Sequence, residues 1–429
     1  MFRNTFRVAV LAAVAFGCGR ERSAAVTHRA SSDSVVQRPH ATAPASARDT
    51  AAYGPADAAD PPVFSVDTGA AHAATLAVPP MRIRRATTPS PMRGIYVNRA
   101  SAIGPALARL VALADHTEIN AFVIDVKDDH GLLLYPSTVG LAHAVGADTV
   151  QPMPVAAVHA FMDTLRAHHI FAIARVVVAR DPLLIAHHPD WAVQRAVDGK
   201  PWLDATGTAW LDPHRREIWA YAADLASEAV ARGFSEVVFD AVRFPDDRAA
   251  QTVRFPLANS RTRSQVIRDQ LTYLRGRFSE LGVPMAIVVP GAAATDTTNL
   301  GIGQQWEMLA DRADIVMPEE YPSRFPSGSY GITNPAEQPA EIVRRALADA
   351  LRRGAGERGV AEVVPWYQDF TLGAPAYGAA QIRAQIEAGY DSGLRSWMLW
   401  NPTSTYTEAA LHEPPKPDSA RARKHLPHR

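Results

Sequence analysis

A single cysteine, Cys18, stands in 429 residues. It can build neither an internal disulfide framework nor a Cys-rich zinc or iron–sulfur site. Histidine is scattered rather than clustered, so no metal is implied and no cofactor is expected. A surplus of charge is also missing: 44 basic residues face 44 acidic ones, for a formal net charge of +0. Nucleic acid is therefore not an expected partner, because phosphate binding needs a basic excess. The first apolar run, Val8 to Phe16, is shorter than the roughly 20 residues a membrane span takes. What is present is the hydrophobic content of a folded protein, 47%, which excludes wholesale disorder. With 33 prolines against 26 glycines, part of the chain is expected to be linker.

The two ends carry that linker character. Arg3 and Arg7 precede the short apolar run, as in a signal peptide. The run closes on Ala15-Phe16-Gly17-Cys18-Gly19, a small residue before the lone cysteine, which resembles a bacterial lipobox. Residues 1–17 are expected to be removed and Cys18 acylated. The protein would then be an extracytoplasmic lipoprotein of the cell envelope, touching the membrane through its N-terminal lipid only. Residues 18–91, rich in Ala, Pro and Ser and without sustained period, read as a tether. Residues 413–429, with Pro414, Pro415 and Pro417 and then basic residues, read as a disordered tail.

Between them, residues 92–412 alternate strand and helix patterns. Strands are expected at Arg93–Val97, Ala121–Val126, Ile170–Ala179, Glu236–Phe244, Met285–Val289, Asp314–Pro318, Val360–Trp366 and Arg395–Trp400. Helical periods separate them, as in Val155–His168, Arg216–Arg232, Arg263–Leu281 and Glu341–Arg353. Strand and helix in strict alternation, without hairpin signals, predict an α/β fold: a (β/α)8 TIM barrel with long βα loops. The alternative is a doubly wound open sheet, but no Gly-rich dinucleotide or phosphate fingerprint follows any strand.

In such a barrel the active site lies at the C-terminal ends of the strands. Those ends are polar here. Strand two closes on Asp125, Lys127 and Asp129; strand three carries Arg175; strand four closes on Asp240 with Arg243 just beyond. Strand six closes on Glu319, Glu320 and Tyr321, strand seven on Trp366, Gln368 and Asp369, strand eight on Trp400 and Asn401. Each carboxylate could be half of a salt bridge, Asp125 with Lys127 or Asp240 with Arg243. Of the adjacent Glu319 and Glu320, at most one is expected to face the axis. Carboxylates rimmed by tryptophan and tyrosine suit sugar, whose apolar ring faces stack on indoles. Glycosidic cleavage needs two carboxyl groups, one acting as nucleophile or base and one as acid. Trp202 and Trp210, in the long stretch after strand three, are further candidates for sugar contact.

Several of these segments together carry a resemblance. They are Arg93-Gly94-Ile95-Tyr96-Val97, Asn120 through Asp129, Phe239-Asp240-Ala241-Val242-Arg243-Phe244-Pro245, Tyr321-Pro322-Ser323, Pro365-Trp366-Tyr367-Gln368-Asp369-Phe370 and Trp400-Asn401-Pro402. In this order they resemble the bacterial putative glycoside hydrolase domain family, long catalogued as a domain of unknown function and related to α-glycosidase-type (β/α)8 barrels. The resemblance covers nearly all of the ordered body. It implies a carbohydrate substrate and a nucleophile at the end of strand four, which is Asp240. It also implies an acid at the end of strand five, in an Asp-Val-Phe-Gly-like turn. Here that stretch is Val288-Val289-Pro290-Gly291, while strand six carries Glu319-Glu320 where the family tends to be apolar.

The expectation that follows is a glycoside hydrolase with Asp240 as nucleophile and Glu319 or Glu320 as acid. Asp125, Lys127, Asp129, Arg175, Arg243, Tyr321, Trp366, Gln368, Asp369, Trp400 and Asn401 are expected around the sugar. The alternative is a carbohydrate-binding barrel without catalysis, favoured by the missing strand-five acid. A third reading, a lyase or aldolase with Lys127 as Schiff-base amine, is opposed by flanking carboxylates that would hold the amine charged.

Overall fold

The computed structural model of the protein describes residues 87–246, 253–355 and 361–412. The expected signal peptide, Cys18, nearly all of the tether and the C-terminal tail lie outside the described residues. Eight parallel staves close into a barrel. They are β1 (Arg93–Val97), β2 (Ala121–Lys127), β3 (Phe171–Val177), β4 (Glu236–Asp240), β5 (Met285–Pro290), β6 (Ile315–Glu320), β7 in two segments (Glu362–Val363 and Trp366–Gln368) and β8 (Trp397–Trp400). Closure comes from β7, whose Trp366 pairs with Glu319 of β6 on one side and Met398 of β8 on the other. β8 in turn pairs with β1, Arg93 opposite Trp397. The expected (β/α)8 barrel is the observed fold.

The strands are apolar on both faces, as parallel strands covered by helices must be. One parity points to the axis: Tyr96, Val123, Phe171, Ile173, Val238, Val288, Met317 and Trp366 pack there as one cluster. The other parity meets the helices: Ile95, Phe122, Ile124, Val237, Phe239 and Val316 belong to the outer cluster. The covering helices are α1 (Ala106–His116), α2 (Val155–Ala167), α3 (Arg216–Ala231), α4 (Arg263–Phe278), α5 (Trp306–Leu309), α6 (Pro339–Gly354) and α7 (Ala379–Asp391). α4 begins at a capping box in which Thr262 accepts from the Gln265 amide and the Gln265 side chain accepts from the Thr262 amide. On α6, Ile342, Val343, Ala346, Leu347 and Ala350 form the buried stripe that the 3.6 period requires.

Three departures from the sequence expectation matter for the site. β4 ends at Asp240 rather than Phe244, because Ala241 takes φ +52, a left-handed conformation no strand continues through. β6 runs on through Glu319 and Glu320, so both glutamates are held by strand geometry. The loops after β3 and β4 are joined by an antiparallel ribbon, Gln194–Arg195 against Val253–Arg254. Two-residue pairings leave no period in a sequence, which is why no antiparallel element was expected.

Candidate active site

The mouth of the barrel holds an open cleft of about 140 Å³. Asp129, Arg175, Arg180, Asp240, Arg243 and Glu319 give it its charge, with Tyr321, Arg324, Trp400 and the β5 end, Val288 to Pro290, completing the wall. Of the side chains expected around a sugar, Asp129, Arg175, Arg243, Tyr321 and Trp400 therefore line it, together with Asp240 and Glu319.

Arg175 organises the floor. Its guanidinium donates to Asp125 Oδ1 from Nη1 (2.7 Å), to Asp240 Oδ2 from Nη2 and Nε (2.7 and 2.9 Å) and to Asp129 Oδ2 from Nη2 (3.1 Å). Arg175 sits one step along β3 from the apolar layer, opposite Asp125 of β2 in register. Only 3% of its side chain is exposed, so these ion pairs are barely screened by water. Tyr96 Oη donates to the other oxygen of Asp125 (2.5 Å) and its ring stacks on Trp400 at 3.9 Å. Burial pushes Asp125 up to about 6, with Arg175 and Tyr96 pulling the other way. Burial acts on Asp129 as well, but Arg175 and Arg180 outweigh it and hold that carboxyl below the usual range. Arg180 reaches Asp129 Oδ1 at 2.9 Å.

This arrangement carries a stability prediction. Arg175→Ala leaves three aspartates facing one another around an empty guanidinium site. Breaking a buried ion pair by removing one partner costs about 3–5 kcal/mol, and a loss of that size is expected in chemical denaturation. Arg175→Lys should recover only part of it, because an ammonium cannot reproduce the fork. Unchanged stability in Arg175→Ala would mean that the three aspartates are held apart by other means.

Asp240 is the last residue of β4. Its Oδ1 accepts from the Ala241 amide at 2.5 Å, and Oδ2 accepts from Arg175. The left-handed Ala241 turns the chain back over the carboxylate, at a cost of about 1–2 kcal/mol for a residue with a Cβ. The Asp240 side chain remains 18% exposed to the cleft. Across the mouth, Glu319 shares the axial parity of Ile315 and Met317, and Glu320 takes the outward parity of Val316. Glu319 is half-buried in the cleft wall. Burial, with Asp240 as the next cause, pushes its carboxyl up to about 7. Glu320 is fully buried on the outer side, where burial and Asp349 push it up to about 8. Gly291 lets β5 close against β6 here: a Cβ on it would stand 2.7 Å from the Glu319 carbonyl and 2.9 Å from Glu320 Oε2.

The remaining candidates sit behind the cleft wall. Lys127 is buried, bonded to Asp181 (2.8 Å) and to the Val177 carbonyl (2.7 Å). That ion pair leaves no free amine for a Schiff base, and Asp125 pairs with Arg175 rather than with Lys127. Both oxygens of Asp369 are taken by Thr407, from its amide (2.9 Å) and hydroxyl (2.8 Å). Gln368 is buried and donates to Ser323 Oγ and the Phe370 carbonyl. Asn401 Oδ1 accepts from Thr403, which ties down its own turn. Trp366 is packed inside the barrel beneath Trp400. Trp210 is buried under Arg243 and Arg180, its indole N–H donated to Asp204. Sequence reasoning did not single out Tyr96, Arg180 or Arg324. Tyr96 lies inside one of the segments that carried the family resemblance, whereas the two arginines sit in loops with no pattern to mark them.

A family model described as a putative glycosyl hydrolase domain matches residues 94–406. No curated protein matches the chain. Among solved structures it is similar to the PgaB (BpsB) glycoside hydrolase domain from Bordetella bronchiseptica, at 13% identity over 73% of this chain and 94% of that one, with a TM-score of 0.52. That likeness is one of fold. A hypothetical protein from Ruminiclostridium thermocellum is 30% identical over 48% of this chain and 98% of its own, with a TM-score of 0.40. An α-galactosidase from Thermus thermophilus is 16% identical over 75% of this chain and 60% of its own, with a TM-score of 0.43.

Proposed function

Since the chain belongs to the putative glycosyl hydrolase domain family, we propose that it hydrolyses an O-glycosidic bond of an extracytoplasmic oligo- or polysaccharide, with Asp240 and Glu319 as the working carboxyl pair. Asp240 is the nucleophile or the carboxylate that stabilises the oxocarbenium-like transition state. Glu319 is the acid that protonates the leaving oxygen. One observation carries this reading: two carboxyl groups share the cleft in opposite environments. Asp240 is ion-paired with Arg175 (2.7 Å), while Glu319 is driven toward its neutral form by burial and by Asp240. A cleft carboxyl raised by burial and a neighbouring carboxylate is the pattern of a general acid. The strand-five acid that the family resemblance implies is replaced by the apolar wall of Val288 and Val289, and Glu319 on the next strand supplies the proton in its place.

A broad panel of aryl glycosides and natural oligosaccharides tests the reading. Cleavage of at least one, lost on substitution of Asp240 and, for natural linkages, on substitution of Glu319, supports it. Trp400 stands in the cleft wall, so oligosaccharides that quench tryptophan fluorescence without any being cleaved would favour the carbohydrate-binding barrel.

The extracytoplasmic site of action rests on Arg3, Arg7, the apolar run and Cys18. Acylation of the Cys18 thiol and of the new amino group supplies two chains, enough for stable anchoring where one is marginal. Cys18→Ser is expected to move the protein from the membrane fraction to the soluble extracytoplasmic fraction and to abolish labelling by a radioactive fatty acid. A wild-type protein that takes up no label would sink the proposal.

A further inference from the structure

Four arginines line the cleft, and two of them have their charge answered. Arg175 is held by three aspartates and Arg180 by Asp129. Arg243 and Arg324 form no ion pair among the described residues. The Arg243 guanidinium carbon stands over the Trp210 ring, 4.6 Å from its centroid, and Nη1 donates one bond to the Phe244 carbonyl (3.1 Å). Its guanidinium is desolvated enough that burial lowers its pKa. Arg324, on the turn Pro322–Arg324 after β6, is exposed at the rim of the same cleft.

A partly buried cation without a counter-ion is costly. The acid nearest in influence to Arg243 is Glu319. In the proposed reaction Glu319 binds substrate as the neutral acid, so in that state it offers Arg243 no charge. Asp240 and Asp246 act on Arg243 as well, but Asp240 is already paired with Arg175. With Glu319 neutral, the four arginines of the cleft outnumber its remaining carboxylates, Asp129 and Asp240.

We propose that the glycan taken by this cleft carries an anionic substituent on the sugar bound there, a carboxylate as in a uronic acid or a sulfate ester, held between Arg243 and Arg324. This rests on the glycosidase reading of the same site and adds its substrate class. Guanidinium groups suit both substituents, because their planar fork meets two oxygens at once.

The test is a binding titration that needs no turnover, read by tryptophan fluorescence on the whole folded protein. Matched pairs are compared: glucose with glucuronate, galactose with galacturonate, galactose with galactose 6-sulfate. The anionic member of at least one pair is expected to bind about tenfold tighter or more, as a charge-assisted contact would give. That preference should shrink as salt rises from about 0.05 to 0.5 M. Which pair responds separates carboxylate from sulfate. Arg243→Gln and Arg324→Gln should each cut the preference, and Arg324→Lys should keep part of it, with thermal melts confirming that each variant is folded. No preference for the anion in any pair overturns the proposal. A preference that survives both glutamine variants overturns it as well. If the arginines serve only Glu319, Arg243→Gln shifts the pH dependence of turnover and leaves the sugar preference untouched. Because the readout is binding, a protein that selects the anion but cleaves nothing fails the glycosidase reading alone. A protein that cleaves neutral glycosides without selecting the anion fails this one alone.

Discussion

Asp240→Asn is expected to lower turnover of an activated aryl glycoside on the order of 10³-fold or more, the scale on which removal of a central catalytic group acts. The substitution keeps the size of the side chain and removes its charge. Two things follow at the carboxylate. The nucleophile, or the negative charge that stabilises the developing oxocarbenium ion, is gone. The hydrogen-bond pattern also turns unfavourable, because Asp240 accepts on both oxygens, from Ala241 and from Arg175. An asparagine has one acceptor oxygen, so its NH₂ must face either the Ala241 amide or the guanidinium. That mismatch costs about 1–3 kcal/mol and should appear as a lowered melting temperature. Sugar binding should persist, because Trp400, Tyr321 and Arg243 still line the cleft. Wild-type turnover in Asp240→Asn, on a substrate the parent cleaves, would remove Asp240 from the mechanism. The melt separates this from loss of fold: a variant still folded at the assay temperature that binds sugar without turning it over is the expected result.

The frame of the protein is open to a reader of the sequence, and the wiring of its cleft is not. Alternating strand and helix patterns announce the barrel, and the polar residues closing its strands offer Asp240 and the pair Glu319 and Glu320 as candidates. Parity on β6 is different. Ile315-Val316-Met317-Pro318 is apolar at every position, since both faces of the strand are buried, so no alternation shows whether Glu319 or Glu320 faces the axis. Ion-pair partners are hidden for another reason. Arg175 and Asp125 are 50 residues apart, and Arg175 and Asp240 are 65 apart, so only the register of three strands brings them together. Lys127 has aspartates as its near neighbours in the chain and yet pairs with Asp181. Gln368 and Asp369 look like cleft residues because they follow the seventh strand. The structure uses them to fasten the loops around Ser323 and Thr407.

Glu319→Gln should separate substrates by leaving group. Protonation of the leaving oxygen contributes typically 10²–10⁴-fold to general acid catalysis. A loss of about that size is expected on natural linkages, whose alkoxide leaves poorly. On aryl glycosides with strongly acidic phenols, which leave without a proton, most of the activity should remain. The pH dependence carries a sign that can be checked. A general acid works while protonated, and burial together with Asp240 raises Glu319 to about 7. Activity of the parent on natural linkages should therefore fall as pH rises through about 7, and Glu319→Gln should lose that alkaline limb on the activated substrate. Glu320→Gln should behave otherwise. Its carboxyl faces the helix layer, where burial and Asp349 raise it to about 8, and its loss should not make turnover depend on the leaving group. A leaving-group dependence in Glu320→Gln and none in Glu319→Gln would reverse the assignment. Absence of the effect in both would move the proton donor elsewhere in the cleft, and Asp129 is the carboxylate there that remains to be tested, although Arg175 and Arg180 hold it on the ionised side.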